Sequence, residues 1–271
     1  MAVLLTAPAQ TGTSGYTLLI ADTAAQVAAA QRLRHTVFAE EFGADLSSPV
    51  SGLDIDDFDA HCDHLIVRDD RTGAVVGTYR MLLPERAARA GRRYAEGEFD
   101  LTPLAPLRDD LVEIGRSCVD PAHRSGAVIN LMWAGIARYL HLRNLRWLGG
   151  CASVPLADGG ATAGAVWSEV ARRHLAPPPL RVRPHRPWLA EPGAAAVLTP
   201  PAGAAPEAGA EPVRRPRVPM PALLRGYLRL GAWVCGEPAY DPAFASADLY
   251  VLLSLDRMPA RYRRHFLGPD Q

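Results

Sequence analysis

The chain has 271 residues, of which 48% are hydrophobic and 21% charged, and its formal net charge is zero. This length and composition predict a globular protein that buries a full core, and the balanced charge gives no global field that would attract nucleic acid or acidic lipid. No apolar run approaches the roughly 18 residues of a membrane span, and the first fifteen residues lack the basic start of a secretory signal.

Four scattered cysteines, Cys62, Cys118, Cys151 and Cys235, have neither CxxC nor another metal-type spacing. In a chain of this length they indicate reduced thiols. We therefore expect a cytoplasmic protein.

The first predicted helix follows Asp22 or Thr23, either of which is a good N-cap, and ends at Gly43. Its apolar stripe contains an arginine, Arg34, which is unusual. Such an arginine either extends its charged head to water or has a partner inside the protein.

An acidic stretch, LDIDDFDAHCDH, occupies residues 53–64. It fails the EF-hand pattern, because Phe58 and Asp59 fall where a calcium loop requires an oxygen ligand and a glycine. His61, Cys62 and His64 find no second ligand pair at a zinc-type distance. A solvated acidic turn is the simpler interpretation, but the interleaved Leu53, Ile55 and Phe58 argue against it.

Two strand-like runs, HLIVR and AVVGTYRMLLP, flank the turn DDRTG and predict a hairpin. Next come a polar connection over residues 85–98, the short element EFDLTPL and the β run VEIGRSCV. The loop DPAHRSGA then leads into a strongly amphipathic helix. A buried strand, LRWLGGCASV, and a short helix, AGAVWSEVARRHL, complete this part of the chain.

Half of the 24 prolines lie between residues 177 and 219. We expect a long loop here that is disordered over about 190–212. Beyond it, we expect ordered structure again in PALLRGYLRLGAWV and in the apolar strand ADLYVLLSL. This last strand must join the same core. The prediction is one mixed α/β domain over residues 16–267 with a flexible tail over 1–15.

Charged residues within apolar strands are the candidates for chemistry. Glu113 and Arg116 lie in VEIGRSCV, with Gly115 between them permitting a β-bulge, and Arg80 lies in GTYRMLLP. A structural ion pair is the simpler interpretation of Glu113 and Arg116. The loop Arg124-Ser125-Gly126-Ala127 is a weak match to the pyrophosphate loop of N-acetyltransferases, and no G-x-S-x-G elbow is present.

In chain order, these residues form a pattern: Arg34-x-x-x-Phe38, Asp54-x-Asp56-x-Phe58-Asp59, Arg80, Phe99 and Glu113-x-x-Arg116. The pattern resembles that of the acyl-homoserine-lactone synthases, although Asp54 stands where that family usually has glutamate. Longer segments, including FDAHCDHLIVRDDRTGAVVGTYRMLLP, VEIGRSCVDPAHRSGAVINLMWAGIARY and DPAFASADLYVLLSL, resemble the ornithine-acyl-carrier-protein N-acyltransferases. That resemblance covers nearly the whole chain except the N-terminal tail and the proline-rich insertion.

The resemblance implies a GNAT-like acyl-CoA N-acyltransferase fold of the α/β (α+β) type. Its central sheet would be mixed and mostly antiparallel, with helices on both faces. It also implies transfer of a 3-hydroxyacyl group from acyl carrier protein to the α-amine of ornithine, giving lyso-ornithine lipid. No metal and no bound cofactor are implied. Because the product is amphiphilic, we add peripheral contact with the inner face of the membrane as an expectation.

The residue roles follow from this reaction. We expect Glu113 to be the general base, with Asp56 or Asp59 as the second choice, because the α-amine has a pKa of about 8 and must lose a proton. Arg34, Asp54, Arg80 and Arg116 would bind the acceptor or form its scaffold. Binding of the acyl and pantetheine groups falls to Phe38, Phe58, Phe99, Ser117, Cys118, Val119, Arg124, Gly126 and Ala127. Amides near Cys118 and Val119 would stabilise the oxyanion.

Two alternatives stay open at this point. One is acylation of a different amine, as in the lactone synthases. The other is a GNAT-like binding protein without catalysis, which the retention of buried charges disfavours.

Overall fold

A long mixed sheet forms the centre of the protein. The computed structural model describes residues 2–7, 15–189 and 219–267. Within them the main strands are β1 (Ala2–Ala7), β2 (Tyr16–Ile20), β3 (Asp63–Asp69), β4 (Val75–Leu82), β5 (Phe99–Asp100), β6 (Leu111–Val119), β7 (Trp147–Pro155), β8 (Arg183–Pro184), β9 (Trp233–Val234), β10 (Ala239–Asp241) and β11 (Ser246–Ser254). The α-helices are α1 (Ala24–His35), α2 (Pro84–Ala90), α3 (Ala127–Leu142), α4 (Ala161–Arg173), α5 (Ala222–Arg229) and α6 (Ala260–Leu267).

The sheet has the strand order β1-β2-β3-β4-β6-β7-β11-β10, with β9 also pairing with β11. Its strands pair antiparallel except for β6 and β7, which are parallel. The small β5 and β8 form a separate pair. A mixed, mostly antiparallel sheet was predicted and is confirmed, as is the hairpin of β3 and β4.

Helices cover both faces of the sheet. Neighbouring residues of a strand point to opposite faces, and on β2 Leu18 packs in the cluster that contains α3, whereas Leu19 packs with Ala30 of α1. Alternate residues of β3 divide in the same way. No helix in the described ranges is both long enough and apolar enough to cross a bilayer.

The N-terminal residues differ from the predicted flexible tail over 1–15. Residues 2–7 form β1, which pairs antiparallel with β2 at the edge of the sheet. The segment is too short to show a periodic pattern, and its order comes from pairing with β2 and from the packing of Leu4 and Leu5 against the core. The predicted disorder over about 190–212 falls outside the described residues, and the 16–267 domain limits stay a prediction.

Beyond residue 218 the chain returns to the same sheet. Strand β11 lies beside β7 along its full length, and all nine of its residues are buried. The expectation that the last strand joins the common core is confirmed. The last described residues form α6, a helix that the sequence patterns do not predict, and its Tyr262 and Phe266 pack against the core.

Strand β6 carries the bulge that Gly115 had suggested. Thr78 pairs with Cys118 and Arg80 pairs with Gly115. The two pairs are three residues apart on β6 but only two apart on β4, so β6 has one extra residue, which forms the bulge. Arg116, within the bulge, adopts a left-handed conformation with φ of 49°. This conformation is uncommon for a residue with a side chain, and it gives Arg116 a direction that a regular strand would not allow.

The pairing of β6 with β7 is short. It extends only from Leu111 opposite Trp147 to Glu113 opposite Gly149, after which no further pairs connect the two strands. Gly150 marks the beginning of the split, because a Cβ atom there would lie 2.1 Å from the carbonyl oxygen of Ile114. Only glycine allows the two backbones to approach so closely.

Replacing Gly150 with alanine is therefore expected to push β6 and β7 apart and to lower the free energy of unfolding by about 1–3 kcal/mol. Urea unfolding measures the change. Gly115→Ala is the matched control, because a Cβ atom at Gly115 meets nothing within 4 Å. Equal stability of the two variants would contradict the close approach at Gly150.

Candidate active site

Arg34 of α1 is fully buried and has two acidic partners. Its Nε lies 2.8 Å from Oδ2 of Asp54, and its Nη2 lies 2.7 Å from Oδ2 of Asp59. Gln31, one turn earlier, also donates to Asp59 at 3.1 Å. The arginine in the apolar stripe of the helix is thus explained by partners inside the protein.

Arg80 of β4 pairs with the same acidic stretch. Its Nη1 lies 2.5 Å from Oδ1 of Asp56 and 3.1 Å from Oδ1 of Asp59. Asp59 therefore bridges two arginines. Burial acts to raise the pKa of Asp59, but the hydrogen bonds and charge of Arg34, joined by the charge of Arg80, outweigh it and lower that pKa to about 2.

Arg116 closes the arrangement. From the bulge, its Nε lies 3.1 Å from Oδ2 of Asp54 and its Nη2 lies 3.4 Å from Oδ2 of Asp56. Its Nη1 donates to the hydroxyl of Tyr94 at 3.1 Å, and the guanidinium lies 5.0 Å from the centre of that ring and 5.3 Å from the centre of the Phe244 ring.

These contacts form a closed ring of alternating charges. Following the contacts in order gives Arg34, Asp54, Arg116, Asp56, Arg80, Asp59 and again Arg34. We call these six residues the ionic ring. Each aspartate of the ring contacts two arginines, so the ring balances its own charge and ties together α1, the acidic stretch, β4 and the bulge of β6.

Glu113 lies outside the ionic ring. It is 4% exposed, its Oε2 accepts a hydrogen bond from the amide of Tyr94 at 2.7 Å, and its Oε1 accepts one from the amide of Ala95 at 2.9 Å. Burial raises the pKa of Glu113, while these two amides oppose the rise. Glu113 is also the last residue of β6 that pairs with β7, so it lies where the split begins.

The three predicted phenylalanines pack in separate clusters. Phe38 lies against Phe244 with ring centres 5.5 Å apart, and its cluster contains Cys118. Phe58 contacts Tyr94 at 5.6 Å between ring centres. The structure places the third, Phe99, in another cluster, against Tyr250.

The remaining predicted residues lie along the end of β6 and the start of α3. Cys118 is buried, which raises the pKa of its thiol, and Ser117 precedes it on β6. The last residue of β6, Val119, accepts a hydrogen bond from Nε of Arg124 at 2.9 Å. Arg124 also makes a bidentate pair with Glu41 at 2.5 and 2.7 Å. Gly126, with φ of 104°, immediately precedes α3, which begins at Ala127.

Several residues near the ring escaped the sequence analysis. Glu98, Cys151 and Asp248 meet so that one potential ligand atom from each lies within 4.8 Å of the others. Asp248 is 3% exposed and accepts hydrogen bonds from the hydroxyls of Ser246 at 2.6 Å and Ser153 at 3.1 Å. Its position in the apolar run ADLYVLLSL was a usable signal, because a buried carboxylate in a strand needs partners.

Comparisons with known proteins agree with this architecture. Residues 33–134 match the family described as the acetyltransferase (GNAT) domain. The chain is 35% identical over 261 residues to the L-ornithine N(alpha)-acyltransferase of Rhodobacter capsulatus, covering 93% of this chain and 94% of the relative. It is 33% identical over 264 residues to the Brucella abortus protein of the same name, covering 91% and 87%.

Among solved structures, the AHL synthase LasI superposes with a TM-score of 0.51 at 14% identity, covering 94% of this chain and 96% of that protein. The acyl-homoserine lactone synthase BjaI, in its structure with MTA, superposes with a TM-score of 0.50 at 14% identity, covering 89% and 80%. At this identity the likeness concerns the fold alone. It confirms the predicted GNAT-like architecture.

Proposed function

The chain belongs to the L-ornithine N(alpha)-acyltransferase family, and on that premise we propose that it transfers a 3-hydroxyacyl group from acyl carrier protein to the α-amine of L-ornithine. The product would be lyso-ornithine lipid, the first intermediate of ornithine lipid biosynthesis. The chain is an acyltransferase. The observation that supports the substrate most directly is the identity to these relatives across more than nine-tenths of the chain.

The chemistry requires a base. The α-amine of an amino acid has a pKa of about 8, so near neutral pH it is mostly protonated and cannot attack. We propose Glu113 as the group that removes the proton, directly or through a water molecule. Its raised pKa makes it a better base than an ordinary carboxylate, and it lies at the beginning of the split between β6 and β7.

The other two predicted bases rank below Glu113. The side chain of Asp56 is 23% exposed, which makes it the most accessible aspartate of the ionic ring, so it remains the second choice. Asp59 is a poor base because its pKa is about 2 and its oxygens are occupied by arginines. We assign Asp59, with Arg34 and Arg80, to the scaffold that holds the site together.

The split between β6 and β7 is the proposed path of the donor. The free amine attacks the thioester carbonyl, forming the C–N bond and a tetrahedral oxyanion. Backbone amides near Cys118 and Val119, at the unpaired end of β6, would stabilise that charge. The nitrogen of the tetrahedral adduct loses its second proton, and the C–S bond breaks. Of the two protons that leave the nitrogen, one neutralises the pantetheine thiolate and the other passes to solvent.

The same region supplies groups for the pantetheine arm. Arg124, Gly126 and Ala127 lie at the start of α3, where helix amides are free to bind an anion or a carbonyl oxygen. Phe38 belongs to the same cluster as Cys118 and supplies apolar surface beside this end of β6. Phe58 and Phe99 stay proposed apolar contacts of the acyl and pantetheine groups.

Acyl carrier protein is the proposed donor, and two arginine-rich stretches, residues 85–93 and 138–146, are the candidates for its docking surface. They converge on Asp63, which lies 2.7 Å from Nη1 of Arg86 and 3.3 Å from Nη2 of Arg143. The exposed Arg89 and Arg138 lie on α2 and α3, the helices next to this contact. Positive charge at this surface would favour association with an acidic carrier.

The decisive assay incubates the purified protein with 3-hydroxyacyl-acyl carrier protein and a panel of amino acids and other amines, with products identified by mass spectrometry. We expect N-acyl ornithine, and faster turnover with the carrier-protein thioester than with the matching CoA thioester. Acylation of a different amine would keep the enzyme class and overturn the substrate. Acylation of none would contradict the proposed function and favour a binding protein.

A further inference from the structure

A cavity of about 270 Å³ lies next to the ionic ring. Its volume is near the lower end of the range for small-molecule sites, roughly 300 Å³, which suits a small ligand. Tyr94 lines the cavity and accepts the hydrogen bond from Arg116, so cavity and ring share a wall. The charged residues of the lining are Arg92, Glu98, Arg186 and Asp241, and His185 lines it as well.

Glu98 connects this cavity to the buried cluster behind it. It lines the cavity and also approaches Asp248 and Cys151, as described above. Its Oε2 atom is buried and has no hydrogen-bond partner among the described residues. A buried carboxylate oxygen without a donor is unusual, because such groups are nearly always satisfied.

Two neighbouring carboxylates repel each other unless a proton or a cation lies between them. Burial, followed by the negative charges of Asp248 and Asp241, raises the pKa of Glu98. Burial likewise raises the pKa of Asp248, although the hydroxyl of Ser246 opposes the rise. Either a proton or an ammonium group can meet this need.

The ionic ring leaves the recognition of a cationic acceptor to other groups. Each of its aspartates already contacts two arginines. The cavity, in contrast, has carboxylates at Glu98 and Asp241 and guanidinium groups at Arg92 and Arg186. Two ammonium groups and one carboxylate, the charges of ornithine, complement a cavity that has both signs.

We propose that the Glu98–Asp248 carboxyl pair binds the δ-ammonium group of the acceptor and thereby selects a diamino acid over amino acids with apolar side chains. This inference rests on the proposed function and adds the residues that determine its specificity. Cys151, on β7 beyond the last pair with β6, places this subsite on the β7 side of the split. Arg92 and Arg186 would then contact the α-carboxylate of the acceptor.

The test compares L-ornithine with L-norvaline, which has the same carbon chain without the δ-amine. A site built to bind a polar group rejects the analogue that lacks it by as much as roughly 10⁴-fold, so the wild-type protein is expected to have a kcat/KM ratio of at least about 10² in favour of ornithine. In Glu98→Gln the ratio should fall to within about tenfold, mainly through a higher KM for ornithine.

Glu237→Gln is the matched control. Glu237 is exposed and two residues before Ala239 of the cavity wall, so the variant removes the same charge without touching the subsite. It should keep the wild-type ratio. Asp248→Asn provides a second variant if Glu98→Gln does not fold, and it should lower the ratio in the same direction.

The possible outcomes separate failure of the proposed subsite from failure of the proposed function. If the wild-type protein acylates neither amino acid, the proposed function fails. If it acylates both equally, or if Glu98→Gln and Asp248→Asn keep the full preference for ornithine, the subsite is overturned while the function stands. Loss of wild-type activity with a chelator, restored by a divalent cation, would assign the Glu98–Cys151–Asp248 cluster to a metal and also overturn the subsite.

Discussion

Glu113→Gln is expected to lower kcat by about 10² to 10⁴-fold, the usual contribution of a general base. Glutamine cannot take a proton from the α-ammonium group of the acceptor. The measurement is the steady-state rate of acyl transfer to ornithine over a range of pH. Because burial raises the pKa of Glu113, the wild-type rate should rise with pH through a value above the ordinary glutamate pKa of about 4.3.

The pH profile separates this role from a structural one. Glutamine presents an amide donor to the backbone N–H of Tyr94 or Ala95, so loss of one buried hydrogen bond should also destabilise the variant by about 1–3 kcal/mol. Lower stability alone would leave the acid limb of the profile in place. A variant with wild-type kcat, or one that keeps the acid limb, would remove Glu113 as the base.

Asp59→Asn is expected to lower the free energy of unfolding by about 3–5 kcal/mol at neutral pH, because it leaves buried arginine charge without compensation. Asp59 contacts both Arg34 and Arg80, which are 0% and 4% exposed in the side chain. Urea unfolding measures the change. Glu169→Gln is the control: Glu169 pairs with the exposed Arg172 and Arg173 on α4, and loss of these surface pairs should cost at most about 1 kcal/mol.

The stability effect of Asp59 should also depend on pH. Its pKa is about 2 in the folded protein and about 3.9 in an unfolded chain. A lowered folded pKa contributes stability that is present above the unfolded pKa and lost as pH falls through the folded one. The difference between wild type and Asp59→Asn should therefore shrink between about pH 4 and pH 2. A constant difference over this range, or one below about 1 kcal/mol at pH 7, would contradict the ionic ring.

Elements whose apolar residues repeat at a regular spacing could be predicted from the sequence. The hairpin of β3 and β4, the amphipathic α3 and the bulge at Gly115 were all predicted and are confirmed by the pairings. Residue chemistry alone also indicated that Arg34 either has an internal partner or extends to water. Local pattern was sufficient in these cases because each depends on neighbouring residues.

Contacts between residues that lie far apart in the sequence could not be predicted. The sequence assigned Asp54 and the three arginines to the acceptor or its scaffold. Only the fold shows that Asp54, Asp56 and Asp59 alternate with these arginines from α1, β4 and β6. Asp248 comes near Cys151 because β11 lies beside β7, although nearly a hundred residues separate them in the chain. β1 was missed for another reason, because its six residues are too few to show a periodic pattern.

The ionic ring and the cavity have different roles. The ring is charge-balanced and holds the bulged β6 in place. The cavity beside Tyr94 offers the unsatisfied carboxyl oxygen of Glu98. We therefore propose that substrate charge is recognised in the cavity, next to the ring, while the ring holds β6 in position.

The most direct test of the central claim is the site of acylation on ornithine. L-Ornithine labelled with ¹⁵N at the δ-amine, incubated with 3-hydroxyacyl-acyl carrier protein and the wild-type protein, gives a product that tandem mass spectrometry can assign. We expect the label to remain in a free amine, lost as ¹⁵N-ammonia on fragmentation, with the acyl group on the α-nitrogen. A product with the acyl group on the labelled nitrogen would contradict α-amine transfer and the binding of the δ-ammonium by Glu98 and Asp248.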